Sequence, residues 1–123
     1  MIDTGDLAPN FALASDDGGE ITLSALRPAP VVVYFYPRDD TSGCTKEALE
    51  FTDLIDRFEA AGAYVLGISA DTVAKHEKFR DKHGLKVTLL SDPEVTTCTL
   101  YDVWKEKSMY GKTFMGIERS TFV

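Results

Sequence analysis

The chain has 123 residues, 44% of them hydrophobic, and 20 acidic against 13 basic side chains leave a formal net charge of −7. That length and composition suit one domain, residues 1–123, with a real core, and the acidic balance argues against nucleic acid or an anionic membrane as partner. Two cysteines do not make a disulfide scaffold, no apolar run approaches the ~20 residues of a bilayer span, and Met1 to Asp6 is neither basic nor apolar enough for a secretory leader, so the cytoplasm, where thiols stay reduced, is the expected location.

Residues 11 to 23 read as two short strands around Asp16-Asp17-Gly18-Gly19, a hairpin signal. Pro28 and Pro30 punctuate the approach to Val31-Val32-Val33-Tyr34-Phe35-Tyr36. That run is β-branched and aromatic without polar alternation, the pattern of a strand covered on both faces. Beyond Pro37, which ends the strand because it lacks an N–H, comes Arg38-Asp39-Asp40-Thr41-Ser42-Gly43-Cys44. Phe51, Leu54, Ile55 and Phe58 then recur at helical spacing, predicting a helix that runs to about Ala61 and stops at Gly62. Cys44 falls in its first turn, where unpaired N–H groups and the positive end of the dipole favour an anion. A thiol there is favoured as thiolate.

Ala63 to Ser69 reads as a second buried strand, and Thr72 to His83 as a helix with Asp71 as cap and Gly84 as stop. Val87 to Leu90 is a third strand, and Asp92 is expected to open a helix through Val103. Lys105 to Thr113 is polar and reads as a loop; Phe114 to Val123 reads as the last strand, with Ile117, Arg119 and Thr121 on one face. Alternating strands and helices imply an α/β fold with a largely parallel sheet and right-handed crossovers.

Pro37-x-x-x-Thr41-x-x-Cys44 and Arg119 within Gly116-Ile117-Glu118-Arg119-Ser120-Thr121-Phe122 stand in one register with three further segments. These are Ala8-Pro9-Asn10-Phe11, Gly67-Ile68-Ser69-Ala70-Asp71 and Leu90-Ser91-Asp92-Pro93. Together they resemble the peroxiredoxins, most closely the bacterioferritin-comigratory or Q branch. The resemblance implies a thioredoxin-like fold with a mixed central sheet flanked by helices. It also implies a thiol-dependent peroxidase that reduces hydrogen peroxide and small organic hydroperoxides through a sulfenic acid at Cys44. Thioredoxin or a small external thiol would recycle it, without metal, haem or flavin, in a monomer or weak dimer. By the same resemblance, Thr41 orients the sulfur and hydrogen-bonds the peroxide, Arg119 stabilises the thiolate, and Pro37 shields it. Ser42 stands where the branch often has proline. Family members continue past Val123 into another strand and a final helix missing here, so the expectation is an exposed sheet edge, lower stability and self-association.

Each of these residues also has a plainer reading. Cys44 could be a small buried hydrophobe, Thr41 an ordinary N-cap, and Arg119 the partner of Glu118, Glu47 or Glu50. Cys98 reads as a buried structural thiol or as the resolving cysteine. The family's usual resolving positions hold Leu49 and the cysteine-free stretch Lys75 to Lys82. His76 and His83 share a helix, yet the cysteine spacing matches no zinc pattern, and His76 reads as solvated beside Lys75 and Glu77. Trp104, Tyr110 and Phe114 suit a docking surface or simple packing. There is no C-x-x-C, which excludes a disulfide reductase of that type. Two other function classes stay open: a catalytically idle thioredoxin-fold binding module, and a thiol hydrolase, for which no histidine lies near Cys44 in sequence.

Overall fold

The structure is a computed structural model that describes residues 8–27, 29–109 and 111–122. Met1 to Leu7, Pro28, Tyr110 and Val123 lie outside those residues, as do the side chains of Met109 and Phe114. The chain opens with the hairpin β1 (Ala12–Ser15) and β2 (Glu20–Thr22), paired antiparallel across the expected turn. A single 3-10 turn, Leu23–Leu26, leads to β3 (Val31–Phe35), followed by α1 (Ser42–Ala60) and β4 (Tyr64–Ser69). Next come α2 (Val73–His83), β5 (Thr88–Ser91) and the short α3 (Thr96–Leu100). The described chain finishes with β6 (Trp104–Met109), β7 (Lys112–Ile117) and β8 (Ser120–Phe122).

The main sheet runs β2-β1-β5-β4-β3-β8. Its centre, β3, β4 and β5, is parallel, while β1 and β8 join antiparallel. The sheet is therefore mixed, and the fold is thioredoxin-like. Alternation along β3 sends its side chains to two separate cores. Val32, Tyr34 and Tyr36 pack with Cys44, Ala48 and Ile55 of α1 and Phe79 of α2. Val33 and Phe35 pack on the other face with Ile68, Cys98, Tyr101 and Ile117. This division explains the unbroken apolar run: a strand with a core on each side has no polar face.

Four local expectations need correction. Lys105 to Thr113 is not a loop: β6 and β7 form a two-stranded antiparallel ribbon, with Gly111 at φ 78° in the turn. The ribbon stands apart from the main sheet, so its strands carry lysines and glutamate without an apolar alternation to betray them. Phe114 to Val123 is not one strand, because Glu118 and Arg119 break it into β7 and β8. The helix expected from Asp92 to Val103 contracts to Thr96–Leu100, bounded by left-handed Val95 (φ 54°) and Asp102 (φ 58°). The Asp92 carboxylate accepts the N–H groups of Thr97 and Cys98, capping that helix from a distance. Finally, Thr72 rather than Asp71 caps α2, its hydroxyl accepting the Lys75 N–H at 3.3 Å. Gly84 ends the helix in the left-handed region, as expected.

Gly67 on β4 is required by a close approach. A Cβ there would lie 2.6 Å from Tyr34 Cζ and 2.7 Å from its hydroxyl. Tyr34 is buried and stacked on Phe51 at 4.6 Å, so it has little room to yield. Gly67→Ala is expected to destabilise the fold by about 1–3 kcal/mol, measured as a lower urea midpoint; an unchanged midpoint would show that the ring moves freely.

Candidate active site

β3 ends at Phe35, and after six intervening residues the chain re-enters regular structure as α1. The intervening turn is tight enough to need Asp40 at φ 60°, a conformation aspartate tolerates better than most residues. Thr41 occupies the N-cap, and its carbonyl accepts the Thr45 N–H at 2.8 Å, the first bond of the helix. Its side chain makes no capping bond; the hydroxyl turns back and donates to the Arg38 carbonyl at 3.1 Å. The N–H groups of the first turn thus take no bond from the cap side chain, and that turn carries no acidic residue. Cys44 is the third helical residue, 1% exposed and unpaired. Pro37, expected to shield the sulfur, is itself exposed at the start of this loop.

Arg119 reaches the same sulfur from the opposite end of the chain. β8 pairs with β3 in the register Val33↔Phe122, Tyr34↔Thr121 and Phe35↔Ser120. One position further along, Arg119 is level with Tyr36, where the strand gives way to the turn before α1. Its Nη2 donates to Cys44 Sγ at 3.1 Å and its Nη1 to Glu47 Oε1 at 2.8 Å. One guanidinium thus contacts both the Glu47 carboxylate, an ion pair the sequence offered, and the Cys44 sulfur. Gly43 leaves the space: a Cβ there would sit 3.2 Å from Arg119 Nη2.

The electrostatics follow from this geometry. Burial opposes the Arg119 cation, but hydrogen bonds and charge from Cys44 and Glu47 outweigh it and raise its affinity for the proton. Burial raises the Glu47 carboxyl above its ordinary value, and Arg119 offsets only part of that. A helix end is worth about 0.3–1 kcal/mol to an anion. A full charge at about 4 Å near a protein surface is worth roughly 4 kcal/mol before screening. With the Arg119 side chain 39% exposed, solvent screening shrinks that figure toward the same range.

The turn is also held from behind. Asp39 is buried, and its carboxylate accepts the Tyr36 hydroxyl at 2.6 Å and lies 2.6 Å from His76 Nδ1. Its N–H donates to Asp71 Oδ2 at 2.7 Å. The His76 Nε2 meets the Leu90 carbonyl at 2.8 Å. His76, expected in solvent, is thus fully buried. Next door, the Asp40 carboxylate binds Lys82 Nζ at 2.7 Å and His83 Nε2 at 2.8 Å. Those two bonds hold the Asp40 carboxyl below its ordinary value. Both histidines are committed to aspartates of the turn, and His76 has no ring nitrogen left to act as base toward Cys44.

Cys98 is not brought to Cys44. It is buried in the core on the other face of the central sheet, beside Phe35, Ile68 and Tyr101. Burial first, then the adjacent Asp92 carboxylate, pushes its thiol well above the ordinary range. Trp104 packs against that same core.

A mixed sheet with a buried thiol at the start of the helix after its central strand defines a thioredoxin-like thiol protein. The profile described as the AhpC/TSA family matches residues 4–123. Peroxiredoxin Bcp of Bacillus subtilis is 44% identical over 122 residues, 99% of this chain and 78% of that protein. The bacterioferritin comigratory protein of Xanthomonas campestris, solved as trapped intermediate and ligand complexes in a study of alkyl peroxide reduction, superposes with a TM-score of 0.85 at 46% identity, covering 91% of this chain and 71% of that one. Peroxidoxin BcpB of Mycobacterium tuberculosis gives a TM-score of 0.85 at 38% identity, covering 99% and 78%. The chain belongs to the AhpC/TSA family and, within it, to the Bcp/PrxQ peroxiredoxins: it is a thiol peroxidase. An idle binding module finds no support among these relatives.

The raised Cys98 thiol sets a pH dependence with a definite sign. A thiol that holds its proton more tightly folded than unfolded contributes stability fully present below the unfolded value, about 8.5. That contribution is lost as pH rises from there toward the folded value. Unfolding curves are expected to lose stability between about pH 8.5 and 10, before tyrosines titrate in the unfolded chain. Cys98→Ala should be less stable at neutral pH but show a flatter slope across that window. An identical slope would contradict the burial of this thiol.

Proposed function

We propose that Cys44 is the peroxidatic nucleophile of this enzyme, with Thr41 and Arg119 as its activating and peroxide-binding partners and Pro37 shaping the loop before them. The observation that carries this reading is the 3.1 Å contact of Arg119 Nη2 with Cys44 Sγ in the first turn of α1. A guanidinium at hydrogen-bonding distance favours the anionic sulfur, and free first-turn N–H groups lie alongside it. Both can also donate to an incoming peroxide, where charge develops on the departing oxygen.

In the reaction, the Cys44 thiolate attacks the terminal oxygen of ROOH. An S–O bond forms as the O–O bond breaks, and the leaving RO⁻ takes a proton to become water or an alcohol. Sulfur is oxidised by two electrons to the sulfenic acid, and the peroxide is reduced by the same two. A first external thiol then displaces water to form a mixed disulfide, and a second releases the Cys44 thiol. We assign hydrogen peroxide and small organic hydroperoxides as substrates, in keeping with the alkyl peroxide reduction studied in the Xanthomonas relative. Thioredoxin or a small thiol is the proposed donor, and the chemistry suits a compartment that keeps thiols reduced, the cytoplasm.

Cys44→Ser is expected to abolish peroxide consumption, and Arg119→Ala to slow Cys44 oxidation by about a hundredfold or more with the fold retained. Stopped-flow mixing with hydrogen peroxide measures both; an Arg119→Ala variant as fast as wild type would defeat the assignment. One peroxide equivalent should leave a sulfenic acid on Cys44 that an external thiol captures, because the sheet separates Cys44 from Cys98. Mass spectrometry of non-reduced peptides decides this. A dominant Cys44–Cys98 bridge would make Cys98 the resolving residue and require the core around α3 to open.

A further inference from the structure

We infer that His76, acting through Asp39, is a positioning residue for the peroxidatic turn, an inference that rests on the assignment of Cys44 above. His76 is fully buried on the narrow inward face that it shares with Phe79, and a polar ring there needs specific partners. Its ring joins three parts of the fold. Nε2 faces the Leu90 carbonyl, which can only accept, so that nitrogen carries a hydrogen. Nδ1 lies 2.6 Å from Asp39 Oδ2, and a proton must sit between them, for two lone pairs at that distance would repel. The Tyr36 hydroxyl donates to the other carboxylate oxygen at 2.6 Å. Asp39 is the midpoint of the turn, two residues before Thr41 and five before Cys44. The ring therefore ties β5 and α2 to the segment that sets the Thr41 hydroxyl and the first N–H groups of α1.

None of these atoms touches Cys44, so the effect of the tie is on alignment. The turn includes Asp40 in the left-handed region, a conformation that persists only when its surroundings enforce it. Without the His76–Asp39 bond, the turn keeps the Tyr36 hydroxyl bond, the tether through the Asp39 N–H to Asp71 and the exposed Asp40 pairs, but loses its buried link to α2 and β5. Peroxide reduction needs the donors and the sulfur aligned along the O–O bond. Alkylation by iodoacetamide needs the thiolate and entry of a small reagent, but no donor aligned on a departing oxygen.

The test compares those two reactions at Cys44 by stopped flow and mass spectrometry in wild type, His76→Asn, Asp39→Ala and Asp39→Asn, with circular dichroism to establish folding. His76→Asn and Asp39→Ala are expected to lose about ten- to a hundredfold in the rate of oxidation by hydrogen peroxide, with iodoacetamide alkylation essentially unchanged. Asp39→Asn should recover most of that loss, since its amide can donate to an unprotonated Nδ1 while its oxygen still accepts from Tyr36. If His76→Asn does not fold, the Asp39 pair of variants decides alone. Peroxide rates equal to wild type in the folded variants, parallel loss of both reactions, or no recovery in Asp39→Asn would each overturn the positioning role. A wild-type chain that alkylates at Cys44 but is not oxidised there would overturn the peroxidase assignment and this inference with it.

Discussion

Everything distinctive about this site depends on one contact made across 75 positions of sequence, Arg119 Nη2 to Cys44 Sγ. For the guanidinium to arrive there, β8 must pair with β3 in one register only. A slip of a single residue would turn every β8 side chain to the opposite face of the sheet and carry Arg119 to the core that holds Cys98. Phe122 helps to fix that register, packing edge-on against Phe35 and Tyr101 at centroid distances of 5.8 and 5.3 Å. Apolar packing on one face of the sheet thus specifies an electrostatic contact on the other.

The remaining features accommodate that contact. Gly43 has no side chain to obstruct the arginine, and Glu47, one turn beyond Cys44, holds its second nitrogen. A charged group placed beside a buried core is costly unless paired, and here the sulfur and the carboxylate share the pairing. Behind the sulfur, α2 contributes His76, Lys82 and His83 to two consecutive aspartates of the turn. The segment around Cys44 is therefore gripped from two sides, by β8 through Arg119 and by α2 through its histidines.

How much of this was legible in the sequence varied with the range of the interaction. Cys44 was readable because its signals are local: an apolar run, a proline, a threonine and a helical repeat within thirty or so residues. That Arg119 would reach Cys44 rested on resemblance alone, since nothing near it in the chain distinguishes that contact from a pair with Glu118. His76 was misread because α2 is polar nearly throughout; its one clue was the spacing to Phe79, which marks a narrow inward face. The β6–β7 ribbon was missed because a two-stranded element apart from the main sheet needs no apolar alternation, and its turn glycine was the only signal. The shortened α3 reflects left-handed Val95, a conformation that composition does not announce. The two-core division was implicit in the Val31 to Tyr36 run, but which core would hold Cys98 required the topology.

The claim that a guanidinium fork, and not merely a positive charge, organises the sulfur is tested most directly by Arg119→Lys. Lysine keeps the charge but cannot bridge Glu47 and Cys44 with two nitrogens from one rigid plane. The second-order rate of Cys44 oxidation by hydrogen peroxide is expected to fall by about tenfold or more in this variant. A rate equal to that of the wild-type chain would show that charge alone suffices and would contradict the account.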